Sequence, residues 1–357
     1  MDARIDKGRK NLFGMLGPAF AFKCLLSPVL KMHLFKTYTC PILLSGLSSL
    51  ALRTTTLQPL IIFHRKVLRG ILTLSKCSNI SALHFLLGEL PIEAQIHKNI
   101  FSLFFSVWSN PDSKIYSIVK YLLETSSENS RTWAVHLRYL SHKYGLDDPS
   151  HYLKMDPLSK SEYKENVQTK ICAFYEKSLR EEASNNSLMQ YLNVSLTGLR
   201  GRRHPALSDI VTTREVQNCR IHLKMLSGDY FTYELKAIRS GGSPHCRCCP
   251  LPSPKEDIQH ILTSCSAYSE IRQRIVQEYQ ILCTSSKSEV NFQEIYSENH
   301  SFSQFILDPA SFNLQRRIHL NDPILGQLFK LSRDFCYAVN SARMKILKKK
   351  ENAQVKS

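Results

Sequence analysis

The stretch LQPLIIFHRKVLRGILTL, from Leu57 to Leu74, decides the class of fold. Its apolar residues recur about every 3.6 residues, which is typical of an amphipathic α-helix. The recurring set is Leu57, Leu60, Ile61, His64, Val67, Leu68, Ile71 and Leu72. Arg65, Lys66 and Arg69 fall largely outside this stripe. We therefore predict a helix that buries one face and presents cations on the other.

Two flanking segments show the same helical period. SPVLKMHLFKTY, residues 27–38, begins with Ser27 as an N-cap and Pro28 at the first helical position. Another helix is predicted to start at Pro91 and to end near Trp108, with apolar residues at helical spacing between them. Residues 1–140 are therefore predicted to form a helical, thumb-like bundle, and the chain as a whole to be mainly α.

Residues 141–240 show a mixed pattern and are predicted to be a basic connector of mixed secondary structure. A helix is expected from Tyr163 to Ala183, and a strand around Tyr191 to Leu196. The loop GLRGRRHP, from Gly198 to Pro205, carries Arg200, Arg202 and Arg203. This connector is therefore the second place at which the sequence concentrates cations.

The remainder of the chain divides at Gly241 to Pro244, a Gly-Gly-Ser-Pro segment typical of a hinge. Residues 241–283 contain four cysteines within twenty residues and are predicted to form a small metal-binding module. The polar segment 284–303 is predicted to be a linker. Residues 304–357 are predicted to be a helical tail, which ends in a run of lysines.

The net charge favours a polyanionic partner. Forty-seven Lys and Arg against thirty Asp and Glu give a formal charge of +17, and residues 1–76 hold twelve basic residues against two acids. Such an excess is typical of proteins that bind nucleic acid or an anionic surface. It is equally compatible with a basic surface that only solvates the protein. Charge alone leaves these alternatives open.

Neither a membrane span nor secretion is expected. The apolar stretch from Pro41 to Phe63 contains Arg53 and three threonines, so it lacks the roughly 18 clean apolar residues that a span needs. The N-terminal apolar run contains Gly14, Gly17, Pro18 and Lys23 and has no convincing cleavage site. Seven of the eleven cysteines are isolated, which favours a reducing, intracellular compartment over a disulfide framework.

Three cysteines and one histidine form a C-x2-C-x10-H-x4-C series, namely Cys246, Cys249, His260 and Cys265. The short first spacing lets two thiolates reach one ion, and the later pair completes a tetrahedral set that suits structural zinc. The alternative is a chance cluster of free thiols. His245 and Cys248 are spare candidates, but Cys248 leaves only one residue between thiols, which strains the chelating turn.

Several segments resemble LINE-type non-LTR retrotransposon reverse transcriptases, in the region that follows the polymerase palm. They are LFKTYTCPILLSGL (34–47), FHRKVLRGIL (63–72), ALHFLLGELPIEAQIH (82–97) and LSRDFCYAVNSARMKIL (331–347). The resemblance implies a thumb followed by a zinc-binding tail. In such a thumb, cations on a rigid helical face grip backbone phosphates of an RNA:DNA duplex. Arg65, Lys66 and Arg69 are the implied contacts, with Arg200, Arg202 and Arg203 as candidates for RNA or DNA.

The chain departs from the family at the active site, so no catalytic residues are expected. A reverse transcriptase needs carboxylates that hold two divalent metals. The only adjacent aspartates are Asp147 and Asp148, where Tyr144 is one residue too far away and Pro149 disfavours a hairpin strand. We expect no polymerase activity and no small-molecule substrate. A stand-alone zinc-dependent nucleic-acid binder and a helical scaffold with a solvated basic surface are the alternatives.

Overall fold

A computed structural model describes residues 1–15, 17, 26–127, 130–156, 158–250, 253–285, 292–312 and 323–355. Its N-terminal half consists of helices α1 to α10, which are Asp2–Lys10, Pro28–Leu34, Cys40–Leu44, Thr54–Leu72, Ile80–Leu87, Ile92–Trp108, Lys114–Thr125, Trp133–Tyr144, Pro149–Tyr152 and Lys160–Ser184. Helices α11 to α16 follow as Thr213–Leu226, Tyr233–Ser240, Ser269–Ser285, Phe292–Ser297, Asn299–Leu307 and Pro323–Val355. The mainly α prediction is confirmed.

Helix α4 has the amphipathic character that its sequence predicts. All eight residues of the recurring apolar stripe are buried, and Phe63 is buried with them. The helix ends where Thr73 adopts a left-handed conformation, with φ of 57°. Arg65 and Arg69 are half-buried and Lys66 is exposed. The buried face packs against α2, α5 and α6, so the N-terminal helices share one apolar core.

Helix α10 and the segments after it correct the prediction of a mixed connector. The predicted strand at Tyr191 to Leu196 is wrong, because that segment forms turns. No strand occurs anywhere in the described ranges, where the sole β-type pairing is an isolated bridge between His245 and Lys255. Capping boxes explain two helix starts: Ser159 pairs with Glu162, and Thr212 with Glu215.

The predicted linker at 284–303 is also wrong over the part that the structure describes. Helices α14 and α15 occupy much of it, and Phe292, Ile295 and Phe302 are buried there. Residues 286–291, as well as Pro18 and Lys23 of the N-terminal run, lie outside the described residues. Polar residues outnumber apolar ones between residues 284 and 303, and both helices are short, so the composition concealed them.

The long helix α16 organises the C-terminal half. It packs along α11 and α13 and also contacts α15, so the tail is part of the core. Two of its arginines, Arg333 and Arg343, are almost completely buried. None of the helices in the described ranges has both the length and the apolar character needed to cross a membrane.

Burial keeps a pair of core histidines neutral. His64 of α4 and His84 of α5 lie with their ring centres 6.1 Å apart. Burial, with the neighbouring His84 and Arg65, lowers the pKa of His64 to about 3. Burial likewise lowers the pKa of His84 to about 4, against the opposing effect of its hydrogen bond to the Glu89 carbonyl.

We predict that acid destabilises the fold through these histidines. In the unfolded chain these imidazoles bind protons near pH 6.5, whereas in the folded core they stay neutral until a lower pH. The free energy of unfolding is therefore highest above pH 6.5 and decreases as the pH falls toward 4. His64→Leu removes one of these groups, so the slope of the unfolding free energy against pH should decrease by about 1.4 kcal/mol per pH unit between pH 6 and 4.5. Urea titrations across that range would measure it. Equal slopes in both proteins would contradict the prediction.

Candidate metal centre and basic surfaces

A short hairpin-like loop positions the first two cysteines. The Cys246 N–H donates to the Pro254 carbonyl at 2.8 Å, and the Glu256 N–H donates to the Pro244 carbonyl at 2.8 Å. These two bonds close the loop around the bridge between His245 and Lys255. The C-x2-C turn therefore lies at a fixed point, with both thiols toward the segment that follows.

A single helical turn from His260 to Ser264 supplies the other two candidates. Asp257 begins it, because its carboxylate accepts a hydrogen bond from the His260 N–H at 2.6 Å. The Cys265 N–H then donates to the His260 carbonyl at 2.8 Å. The chain between His260 and Cys265 therefore forms one helical turn, which places the His260 imidazole and the Cys265 thiol side by side.

The four side chains meet at distances suited to one ion. Cys249 Sγ lies 3.4 Å from His260 Nε2 and 3.4 Å from Cys265 Sγ, and Cys246 Sγ lies 4.0 Å from Cys265 Sγ. All four donor atoms lie within 4.8 Å of one another. A tetrahedral ion with metal–sulfur bonds of about 2.3 Å separates its sulfur ligands by roughly 3.8 Å. The cluster could therefore hold a metal ion.

Neighbouring groups orient the donors, as supporting residues around metal sites do. Ser264 Oγ lies 3.1 Å from His260 Nδ1, which turns the other ring nitrogen toward the thiols. Arg272 donates to the Leu262 carbonyl at 2.9 Å and to the Cys265 carbonyl at 2.8 Å. Arg272 belongs to α13, so this helix holds the His260 turn in place.

The spare candidates take other roles. Cys248 approaches Cys246 and Glu256 in a second, three-donor group, but the Glu256 carboxylate is already bound by Arg343. The pKa of the Cys246 thiol is well below its usual range because Cys248 and Cys265 hydrogen-bond to its sulfur. His245 is exposed, and its Nδ1 lies 2.8 Å from the Ser253 carbonyl. The four-donor set is the more complete of the two groups.

A buried ion pair fastens this loop to the last helix. Arg343 Nη2 of α16 donates to Glu256 Oε1 at 2.5 Å, and the two side chains are 2% and 0% exposed. The same carboxylate oxygen accepts the Tyr233 N–H at 3.1 Å. Burial works against the charge of Arg343, but the hydrogen bond to Glu256 raises its pKa above the usual value.

Aromatic rings complete the surroundings of this arginine. The Arg343 guanidinium lies 5.6 Å from the Tyr230 ring centre and 5.7 Å from the centres of Phe231 and Tyr233. Cation–π contacts of this kind favour a desolvated guanidinium. Sequence reasoning missed the whole arrangement, because no local pattern connects residue 256 with a helix that begins at residue 323.

The cations of α4 are not equally available. Arg69 donates to the Ser78 hydroxyl and the Ser78 carbonyl, each at 3.3 Å. Burial and the neighbouring Arg65 lower the pKa of Arg69 from its usual value. Lys66 is exposed and Arg65 is half-buried. Of the three predicted phosphate contacts, Lys66 is thus the most accessible to a ligand. Arg69 already donates hydrogen bonds to the loop that follows α4.

The basic loop is held against the N-terminal helices. The Gly201 N–H donates to the Gly88 carbonyl at 2.9 Å, and the His204 N–H donates to the Leu86 carbonyl at 3.0 Å. Gly88 has a φ of +66°, and a Cβ there would lie 2.5 Å from the Arg202 carbonyl oxygen, so only glycine fits. Because α4 also packs on α5, the cations of α4 and of the loop flank the same helix.

Within this loop, the three arginines differ in their partners. Arg200 pairs with Glu165 at 3.1 Å and donates to Thr169 Oγ1 at 2.8 Å, so it braces the loop on α10. Arg202 and Arg203 are exposed. The freest cations among the six predicted nucleic-acid contacts are therefore Lys66, Arg202 and Arg203.

The adjacent aspartates act as local structural groups. Asp148 is the N-cap of α9, where its side chain accepts the Ser150 N–H at 2.8 Å, and it pairs with Arg138 at 3.1 Å. Asp147 interacts with Tyr152. Both are exposed residues of the loop just before a short helix, which agrees with the expectation of a surface loop.

Comparison with known proteins finds no match: no protein-family model, no curated protein and no solved structure matches this chain.

We predict that the cluster binds about one metal ion per chain through four donors. Cys249→Ser should therefore lose the metal, and the matched variant Cys248→Ser should retain it. Elemental analysis of the purified full-length proteins would give both occupancies. Equal metal content in the two variants would exclude the four-residue set as the ligands.

A second prediction concerns the buried ion pair. Glu256→Met leaves a buried guanidinium uncompensated and should cost about 3–5 kcal/mol of unfolding free energy. Adding Arg343→Met should recover much of that loss, since an apolar pair needs no desolvation of charge. Asp6→Asn, which breaks the exposed Arg9–Asp6 pair, is the control and should cost under about 1 kcal/mol. Strictly additive losses in the double variant would contradict the coupling.

Proposed function

We propose that this chain binds nucleic acid as the non-catalytic C-terminal region of a LINE-type retrotransposon reverse transcriptase, stabilised by one structural zinc ion. The observation that carries the proposal is the four-donor cluster in a chain of net charge +17. The retrotransposon assignment rests on the sequence resemblance of residues 34–47, 63–72, 82–97 and 331–347. The expectation that the chain lacks polymerase activity rests on its lack of a palm carboxylate pair.

Zinc suits the donor chemistry. Three thiolates and one imidazole form a set that suits zinc and disfavours magnesium and calcium, which prefer oxygen ligands. Four protein donors leave no position for a reactive water, so the ion would have a structural role. Cys246 and Cys249 from the loop and His260 and Cys265 from the next turn would be joined through it. The loop, α13 and α16 would then form one unit.

The nucleic-acid contacts are proposed at the free cations around α5. Lys66, Arg202 and Arg203 are exposed and can approach phosphates without breaking internal bonds. Contacts of this kind position a duplex and carry no sequence code. An RNA:DNA duplex is the partner that the proposed origin implies. A stand-alone zinc-dependent binder would use the same residues.

One observation favours the scaffold alternative. Arg69 and Arg200, two of the six predicted contacts, already bind groups of the protein itself. If the other cations have equally local roles, the basic surface only keeps the protein solvated. The two hypotheses differ in how binding should depend on salt.

The test compares two double variants that remove the same charge. Lys66→Gln with Arg203→Gln should lower the slope of log affinity against log salt by about 1.4–1.8 for a short RNA:DNA duplex, because two phosphate contacts are lost. Arg69→Gln with Arg200→Gln should change it far less, since those side chains face internal partners. Fluorescence anisotropy on the zinc-loaded full-length chain would measure both.

Equal slope changes in the two double variants would mean that only net charge matters. Undetectable duplex binding at physiological salt would leave the scaffold reading. Circular dichroism at matched concentration checks that each variant is folded before its affinity is compared.

A further inference from the structure

A groove lies between the last turns of α16 and the loop that carries the candidate ligands Cys246 and Cys249, which we call the metal-ligand loop. Its volume is about 680 Å³, and Tyr233, Arg247, Leu347 and Lys350 are among its lining residues. Lys350 Nζ donates to the Arg247 carbonyl at 2.7 Å, which fixes the helix end against the loop. The volume falls within the roughly 300–1,000 Å³ range of small-ligand pockets.

The groove presents flat surfaces to solvent. The exposed guanidinium of Arg247 lies 4.6 Å from the centre of the Tyr233 ring. Phe231 does not line the groove but adjoins it beside Tyr233, with ring centres 5.8 Å apart, and this residue is 52% exposed. Unpaired bases stack on aromatic rings and on arginine planes. Tyr233 thus has an exposed phenylalanine on one side and a guanidinium over its ring, and each of these two groups offers a face on which a splayed base can stack.

Cations surround these flat groups. Arg247 and Lys350 line the groove together with one acid, Glu351. Lys348 and Lys349 on the same helix end and Lys255 on the loop are exposed. A backbone of phosphates passing through the groove would find positive charge on both walls.

We infer that this groove binds a single strand of nucleic acid. One base stacks on the Arg247 plane, a neighbouring base stacks on Phe231, and the backbone follows Lys350 and the adjacent lysines. The bases of a duplex are paired and stacked, so they cannot stack on Arg247 or Phe231. An acidic peptide has no bases that would stack there. The inference deepens the proposed function, since it rests on nucleic acid being the partner.

The experiment measures binding of oligouridine of about 12 nucleotides to the zinc-loaded full-length chain by fluorescence anisotropy. Arg247→Lys keeps the positive charge but removes the planar guanidinium on which a base stacks. The affinity should therefore fall about five-fold or more, while the slope of log affinity against log salt stays the same. Arg247→Gln should lower both affinity and slope. Phe231→Leu should weaken binding about five-fold or more. Tyr121→Leu, which removes a 64% exposed ring on α7, is the control and should leave affinity unchanged.

Wild-type affinity in both Arg247→Lys and Phe231→Leu, with metal content unaltered, would overturn the groove assignment. So would polyglutamate binding as tightly as oligouridine, which would indicate a general anion surface. If neither duplex nor single strand binds, the proposed function itself fails. If oligouridine binds these variants with the same affinity as the wild-type chain, only the groove inference fails.

Discussion

The buried contact between Glu256 and Arg343 is the interaction on which the C-terminal half depends. The metal-ligand loop has few apolar residues of its own, so it cannot hold its place by hydrophobic burial. The carboxylate joins it to α16, and α16 is packed along α11 and α13. Desolvating two charges is costly, and Glu256 Oε2 and Arg343 Nε find no hydrogen-bond partner among the described residues. Further contacts around the pair offset part of that cost. The Tyr233 N–H and three aromatic rings supply that support.

A second buried polar contact joins the connector to the same core. Asp308, just after α15, lies 3.4 Å from His204 and accepts the Asn193 N–H at 3.1 Å. Arg333 of α16 donates to the Ser208 carbonyl at 3.1 Å. Residues 193–208 are therefore held by specific hydrogen bonds rather than by a strand pairing. This explains how a segment whose regular structure is limited to one 3-10 turn, Pro205–Leu207, can hold a basic loop in a defined position.

The cations of this protein serve two purposes. Arg69, Arg200 and Arg343 stabilise loops and a helix junction, while Lys66, Arg203 and Arg247 project into solvent. Net charge alone cannot separate these groups, because a guanidinium that is paired internally counts the same in the sum. The phosphate contacts proposed around α5 and the base stacking proposed at Arg247 use the second group. The groove beside the metal-ligand loop adds flat, exposed faces to that charge.

The sequence by itself determined the local features. The 3.6-residue period predicted α4, Ser27 and Pro28 predicted the start of α2, and the cysteine and histidine spacing predicted the four donors that the fold brings together. These patterns act through neighbours a few residues apart, which sequence spacing encodes directly. Only the tertiary structure decided that residues 191–196 form turns, that 292–297 and 299–307 are helical, and that Glu256 pairs with Arg343. Such contacts depend on which distant parts of the chain pack against one another, and the periodicity within one segment does not contain that information.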